Sequence, residues 1–217
     1  MGLTLVTAPA SEPVTLNEVK DHLRIAHGVT DQDSYLTGLI TAARMQAELF
    51  TRRQFITATY RKVMDRFPRG YYEVQNRAAV VTQMETLSQE DKAIYLPRPP
   101  LISVTSIQYQ DTDLNWQTLD SSNYIVVTDW TPGKLYPTIS PGGGYWPATT
   151  IQPAAVKIEY TCGYGSSGSY VPEMVKLAIK EIIRAIFDGA DLAKAMEGVK
   201  LLLTPYRIFD DRAFQHA

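Results

Sequence analysis

The chain has 217 residues, of which 45% are hydrophobic and 20% charged, and its formal net charge is −2. This composition is typical of a globular protein with a sizeable core, and the near-neutral charge argues against nucleic-acid binding along the whole chain. No apolar run approaches the roughly 18–20 residues that cross a bilayer, and the N-terminus lacks the pattern of a secretory signal. The single cysteine, Cys162, excludes an internal disulfide and fits a reducing compartment. We therefore expect a soluble protein made in the cytoplasm.

Two helices are predicted in the first quarter of the chain. Thr15-Leu16-Asn17-Glu18 is a capping box, in which the first and last side chains satisfy backbone donors at a helix start. The first helix should end near Gly28. A second helix should open at Thr30 or Asp31 and continue to about Thr51, because its apolar residues recur at helical spacing. These residues are Leu36, Leu39, Ile40, Ala43, Ala47 and Phe50.

The middle of the chain is predicted to be extended. A proline-rich bend, Leu96–Pro100, precedes a strand-like run from Ile102 to Tyr109. The apolar residues of this run change parity half-way, which predicts a bulge near Thr105–Ser106. Short strands separated by turn residues, the clearest over Val156–Tyr160, favour a small antiparallel sandwich or barrel.

The loops of this middle region are less regular. Phe67–Tyr72 is expected to be a turn with exposed aromatic residues, and a short strand is expected at Val80–Val81. Asp111–Asn115 should form a hairpin turn. The glycine- and serine-rich residues Gly163–Ser169 are expected to be a flexible connector.

Helical periodicity returns near the C-terminus. A helix opening at Pro172 and stopping at Gly189 should be followed by a shorter one over about Ala193–Leu203, which Pro205 ends. The isoleucines of the longer helix should pack against the apolar residues of the second helix. The remaining residues, Tyr206–Ala217, mix aromatic and charged side chains without a helical or strand period, and we interpret them as an arm.

Together these elements predict an α+β fold. A helical bundle is built from both chain ends, residues 1–54 and 163–205, with an inserted antiparallel β sandwich or barrel-like module over residues 55–162. Residues 206–217 form the C-terminal arm.

Charge is unevenly distributed along the chain. The segment from Ile40 to Gly70 contains seven basic and two acidic residues, whereas the segment from Glu85 to Trp130 contains seven acidic and two basic residues. Two solvated surfaces would explain this pattern. Alternatively, a basic patch on one copy, including Arg44, Arg52 and Arg53, meets an acidic patch on its neighbour in an oligomer.

The sequence gives little support to catalysis, and we expect no enzyme activity, metal site or cofactor. Neither glycine-rich loop has the Gly-Lys-Ser/Thr ending of a phosphate-binding loop. Cys162 has no histidine or second thiol near it in sequence, and His22, His27 and His216 lack zinc-ligand spacing.

Several motifs, taken in order, resemble the head–tail connector (adaptor) proteins of long-tailed phages. The resemblance rests on short segments spread through nearly the whole chain. They are Pro13–Lys20, Tyr35-Leu36, Ala42-Ala43-Arg44, Glu48, Thr51-Arg52-Arg53, the proline bend with Ile102–Tyr109 and Asp111, Tyr124, Trp146-Pro147, Gly163-Tyr164-Gly165, Pro172 and Leu201–Arg207. The chain departs from the family at Leu114, where the family often turns on a glycine. We expect Asn115 to take the left-handed conformation instead.

The resemblance implies a structural ring, typically dodecameric, in the virion neck between capsid and tail. Such a ring docks on the portal protein, receives a stopper or tail-completion protein, and lets genomic DNA pass through its lumen without reading it. The family brings no catalytic residues. Combined with the aromatic character of the arm, it points to portal or neighbour contacts through Tyr206, Arg207, Ile208, Phe209, Arg212 and Phe214.

Two other functions stay open from the sequence alone. One is a DNA-binding module that uses the basic stretch Arg44–Arg69, with Arg44, Arg52, Arg53, Arg61 and Arg66 as contacts. The other is an enzyme whose site is not recognisable from motifs.

Overall fold

The computed structural model describes residues 2–68, 89–139 and 144–209. The described residues fall into two compact units. The β unit lies within Met1–Thr7 and Thr59–Cys162, and the helical unit comprises Ala8–Ala58 and Gly163–Phe209.

Four α-helices form the described part of the helical unit: α1 (Leu16–Leu23), α2 (Asp33–Thr51), α3 (Glu173–Phe187) and α4 (Leu192–Leu203). The predicted capping box opens α1, since the Glu18 amide donates to the Thr15 hydroxyl over 3.2 Å and the Thr15 amide donates to the Glu18 carboxylate over 2.6 Å. The helix ends earlier than predicted, because Arg24 adopts a left-handed conformation with φ of 59°.

One apolar cluster fills the helical unit. Ile179 and Ile182 of α3 belong to the same buried cluster as Leu36, Leu39 and Ile40 of α2. This confirms the packing that the apolar spacing predicted, with Ile186 lying partly buried at the cluster's margin.

The segment Gly163–Ser169 is packed, which makes the prediction of a flexible connector wrong. The Tyr164 amide donates to the carbonyl of Phe55 over 3.1 Å, and the Thr57 amide donates to the carbonyl of Gly165 over 2.9 Å. Gly163 has a φ of 129°, and a Cβ there would lie 2.7 Å from the Thr57 nitrogen. Only glycine fits this close approach.

Eight strands form the described part of the β unit. In chain order they are β1 (Gly2–Thr7), β2 (Ala58–Met64), β3 (Ile94–Leu96), β4 (Leu101–Gln110), β5 (Trp116–Thr118), β6 (Tyr124–Val127), β7 (Gly133–Pro137) and β8 (Val156–Cys162). They pair antiparallel into a five-stranded sheet, β1-β2-β8-β4-β5, and a three-stranded sheet, β3-β7-β6. The α+β class and the antiparallel pairing are as predicted, but the described strands form two open sheets and no closed barrel.

The predicted bulge in β4 is confirmed, because its register against β8 shifts between Val104 and Ser106. Both sheets contribute to one core, in which Ile94, Leu135, Ile107 and Ile158 are buried. The alternation of buried and half-buried residues along β8 agrees with the pattern in its sequence.

Two turn predictions were wrong. Phe67 is buried, with its ring stacked on Trp146 at a centroid distance of 5.0 Å and an interplanar angle of 5°. Leu114 itself takes the left-handed conformation, with φ of 67°, in place of Asn115. Tyr71, Tyr72 and the strand expected at Val80–Val81 lie outside the described residues.

Candidate assembly surfaces

The segment after α4 is held on its own helical unit. A short turn, Thr204–Tyr206, follows the helix, and Arg53 Nε donates to the Tyr206 carbonyl over 2.5 Å. The Ile208 amide donates to the carbonyl of Thr51 over 3.0 Å, and the Ile208 side chain is only 5% exposed. The prediction that the arm begins at Tyr206 is therefore wrong, because Tyr206 and Ile208 are held on the helical unit.

Phe209, directly after the buried Ile208, faces solvent with 68% of its surface exposed. The Arg207 guanidinium lies 4.9 Å from the centre of the Phe50 ring and 5.4 Å from that of Phe209. This cation–π pair of contacts joins the exposed ring to α2. Arg212 and Phe214 lie outside the described residues.

Arg44 belongs to a buried ionic network inside its own chain. Its Nε donates to Glu12 over 2.7 Å and its Nη1 to Glu48 over 2.8 Å. Burial acts to lower the pKa of Arg44, but the Glu48 and Glu12 carboxylates outweigh it and raise that pKa. Glu48 also accepts hydrogen bonds from the Gln54 side chain and the Phe55 amide. Arg44 is therefore engaged within its own chain, and so is Arg53, whose Nε donates to the Tyr206 carbonyl.

Several cations of the basic stretch are buried or paired within the described residues. Arg61 lies in the β unit and pairs with Glu159 over 2.9 Å. Lys62, on the same strand, is 3% exposed and donates to the carbonyl of Tyr95 over 2.7 Å. Burial lowers the pKa of Lys62 to about 8.

The acidic part of the sequence holds a network that sequence reasoning missed. Lys134 Nζ donates to Glu90 over 2.8 Å, and the hydroxyls of Tyr95 and Tyr136 donate to the same carboxylate over 2.5 Å and 3.0 Å. The hydrogen bond from Lys134 is the largest cause that lowers the pKa of Glu90 to about 2. The exposed Trp130 ring lies over Lys134 Nζ at 4.1 Å. No local motif signals the contacts of Glu90 with Lys134 and Tyr136, because they join residues 44 and 46 positions apart.

Groups capable of chemistry are scattered in the described parts of the chain. His27 pairs with Asp21, His22 lies 3.4 Å from Glu181, and Cys162 is buried at the end of β8. Residues 2–68, 89–139 and 144–209 contain no group of three or more His, Cys, Asp or Glu side chains arranged to hold a metal ion.

None of the described helices combines the length and the apolarity that crossing a membrane requires.

Comparisons with known proteins found a family model that matches part of the sequence and solved structures that share the fold. Residues 13–107 match the sequence model of the family described as phage gp6-like head-tail connector protein. No curated protein sequence matches the chain.

Solved structures with the same fold come from gene transfer agent (GTA) particles. A chain from the neck of the empty GTA particle, computed with C6 symmetry, shares 20% identity and a TM-score of 0.70, with 97% of each chain covered. A chain from the neck of the native particle, computed with C12 symmetry, shares 20% identity and a TM-score of 0.69 over the same coverage. The native GTA virion contains a chain similar at a TM-score of 0.67, again with 20% identity and 97% coverage.

Proposed function

We propose that the protein is a structural head–tail connector in the neck of a tailed phage or phage-like particle. Residues 13–107 match the phage gp6-like head-tail connector family, which confirms the resemblance drawn from the motifs. The observation that carries the proposal is the agreement in fold with GTA neck chains over 97% of both chains. The family match supports it independently, because it rests on sequence and covers α1, α2, β2, β3 and most of β4.

The proposal includes a ring of copies, most simply twelve, that docks on the portal protein and receives a stopper or tail-completion protein. The C12 and C6 symmetries of the similar necks support a cyclic arrangement. Genomic DNA would pass through the lumen without sequence readout, and the protein would do no catalysis.

In this ring the two chain ends would jointly build a helical body into which the β module is inserted. The shared apolar cluster of α2 and α3 supports this division. The portal or neighbour contacts would come from Phe209, Arg212 and Phe214, with Tyr206, Arg207 and Ile208 anchoring that segment to the subunit. Arg52, which directly follows α2, is proposed for contacts between subunits.

The DNA-binding alternative loses support at the arginines on which it depends. Arg44 is buried in an ion-pair network, Arg53 hydrogen-bonds to the chain, and Arg61 pairs with Glu159. A protein that binds phosphates needs its cations exposed and clustered.

Electron microscopy of the purified full-length chain, alone and with the portal protein of the same particle, tests the proposal. We expect closed rings of this protein seated on portal rings. If the chain and the portal do not associate at any concentration tested, the connector function is wrong.

A further inference from the structure

Helix α2 carries a second line of uncharged side chains on the face turned away from its core. Tyr35, Gly38, Ala42, Met45 and Leu49 are all exposed and recur at alternating intervals of three and four residues. Tyr35, Met45 and Leu49 are 53%, 58% and 65% exposed. Alternating intervals of three and four are the spacing with which one helix packs along another. We refer to these five residues as the α2 stripe.

Exposed charge is missing from the whole length of this face. Between Ser34 and Leu49 the only charged residues of α2 are Arg44 and Glu48, and both are buried and paired with each other. The solvent face of an amphipathic helix ordinarily carries charged residues. A helix face without charge and with large exposed apolar side chains is typical of a surface that another protein covers.

Gly38, the second of the five stripe residues, has no packing role within its own chain. A Cβ at this position would meet nothing within 4 Å. Glycine in a helix interior costs about 1 kcal/mol relative to alanine. Close approach by a backbone or side chain from outside the subunit is the physical reason left for a glycine here.

A complementary surface lies on the same helical unit, between α3 and α4. It is a groove of about 510 Å³. Its uncharged lining is contributed by Leu177, Ala185, Ala190, Ala195, Gly198, Val199 and Leu202. Gly198 lies inside α4, and, as at Gly38, a Cβ there would meet nothing within 4 Å.

Stripe and groove have similar lengths. At about 1.5 Å per residue, the stripe from Tyr35 to Leu49 measures about 21 Å, and the groove along α3 from Leu177 to Asp188 measures about 17 Å. The groove also has three charged lining residues. Arg184 and Asp188 are more than half exposed and pair with each other, and the Glu181 carboxylate lies 3.4 Å from His22 of α1. An uncharged helix face that enters the groove therefore meets charges that already have a polar partner within their own helical unit.

We infer that the α2 stripe of one copy packs into the α3–α4 groove of the next copy. The inference rests on the proposed function, because a cyclic ring of more than two copies needs two different and complementary surfaces on every copy. A twofold contact of stripe with stripe would close a dimer and leave the groove empty.

Charge and volume substitutions test this pairing in the full-length chain. Met45→Glu combined with Leu49→Glu should weaken self-association at least about 30-fold, because it places charges at the centre of an apolar contact.

Gly198→Leu should weaken self-association similarly by filling the groove, while the open space around Gly198 leaves helical circular dichroism unchanged. Thr37→Glu, on an exposed part of α2 outside the stripe, is the matched control and should associate as wild type does. Sedimentation velocity over a concentration series measures the association.

Cysteine cross-linking then identifies the partner surface. Copies carrying Met45→Cys, mixed with copies carrying Gly198→Cys under mild oxidation, should form disulfide-linked dimers of one copy of each. Neither variant alone should do so, and Cys162 is buried at the end of β8.

The outcomes separate this inference from the connector function. If rings persist in the charge and groove variants, or if Met45→Cys copies link to each other, the stripe–groove pairing is wrong while a connector is still possible. A wild-type chain that stays monomeric at every concentration and gives no mixed dimer also overturns the pairing. Docking on the portal is measured separately and decides the connector function.

Discussion

A buried lysine in the β unit has a charged form that burial disfavours, which its sequence does not indicate. Lys62 is 3% exposed, and its ammonium donates to the carbonyl of Tyr95. Burial of this lysine disfavours the charged form, and a single hydrogen bond to a carbonyl replaces only part of its hydration.

Lys62 predicts a rise in stability at alkaline pH. Its pKa is about 8 in the folded chain, against 10.5 as the ordinary value. Between these two values the unfolded chain binds more protons, so the free energy of unfolding contributed by this group increases as pH rises from about 8 to 10.5. Below pH 8 the group costs stability, by up to about 3 kcal/mol. We therefore expect the free energy of unfolding of wild type, relative to that of Lys62→Met, to increase from pH 7 to pH 9 and pH 10.5. Denaturation of both proteins at the three pH values measures this. Lys200→Met, an exposed lysine, should show no such trend; an equal trend in both variants would contradict this account.

Leu114 is a second residue that costs stability, because its backbone conformation is unfavourable for a residue with a Cβ. It adopts a φ of 67° in the β4–β5 hairpin, and 58% of its side chain is exposed. A left-handed conformation costs a residue with a Cβ about 1–2 kcal/mol. Leu114→Gly should therefore raise the free energy of unfolding by about 0.5–1 kcal/mol, because little packing is lost. Asn115→Gly is the control and should give no gain, since the left-handed position is Leu114. Chemical denaturation followed by tryptophan fluorescence measures both.

At the scale of elements, the helical unit is held by α2 and α3. Ile182→Ala should lower the free energy of unfolding by about 2–5 kcal/mol, because Ile182 is 1% exposed in the shared cluster. Urea denaturation monitored by helical circular dichroism gives the value. A loss below about 0.5 kcal/mol, the range of surface substitutions, would show that α3 does not pack in this way.

The segment after α4 makes a paired prediction. Ile208→Ala should destabilise the helical unit by about 2–4 kcal/mol, because Ile208 is 5% exposed and its backbone is tied to Thr51. Phe209→Ala should cost less than about 1 kcal/mol, since it removes an exposed ring and one cation–π contact. If Phe209 forms part of the portal contact, its variant should instead lose docking on portal rings while keeping its fold. Equal destabilisation by the two variants would contradict the boundary drawn at Ile208.

At the scale of the whole molecule, a connector should contact DNA weakly and without sequence preference. The net charge is −2, and several basic side chains of the described residues, among them Arg44, Arg61 and Lys62, are engaged inside the chain. We therefore expect dissociation constants no tighter than about 10⁻⁴ M for duplex DNA near physiological salt. Fluorescence anisotropy with two labelled duplexes of unrelated sequence measures this. Sub-micromolar affinity that falls steeply with salt would favour the DNA-binding alternative.

Several helices and strands of this protein could be predicted from the sequence, because they depend on interactions between residues close together in the chain. The capping box at Thr15 and Glu18, the apolar periods of α2 and α3, and the bulge in β4 all depend on residues a few positions apart. Their geometry follows from backbone hydrogen bonding and side-chain spacing alone. The ordered motifs also sufficed for the resemblance to head–tail connectors, which the match over residues 13–107 confirms.

Only the tertiary structure decided the contacts between distant parts of the chain. Strand β1 is an edge strand because β2 offers it backbone partners, and Ile208 is buried because Thr51 presents a carbonyl beside it. Arg44, which the sequence suggests as a surface contact, is buried because Glu12 and Glu48 converge on it. In each case the deciding free energy is that of burial, pairing or desolvation. Those terms depend on which groups the fold brings together, which no local pattern of residues encodes.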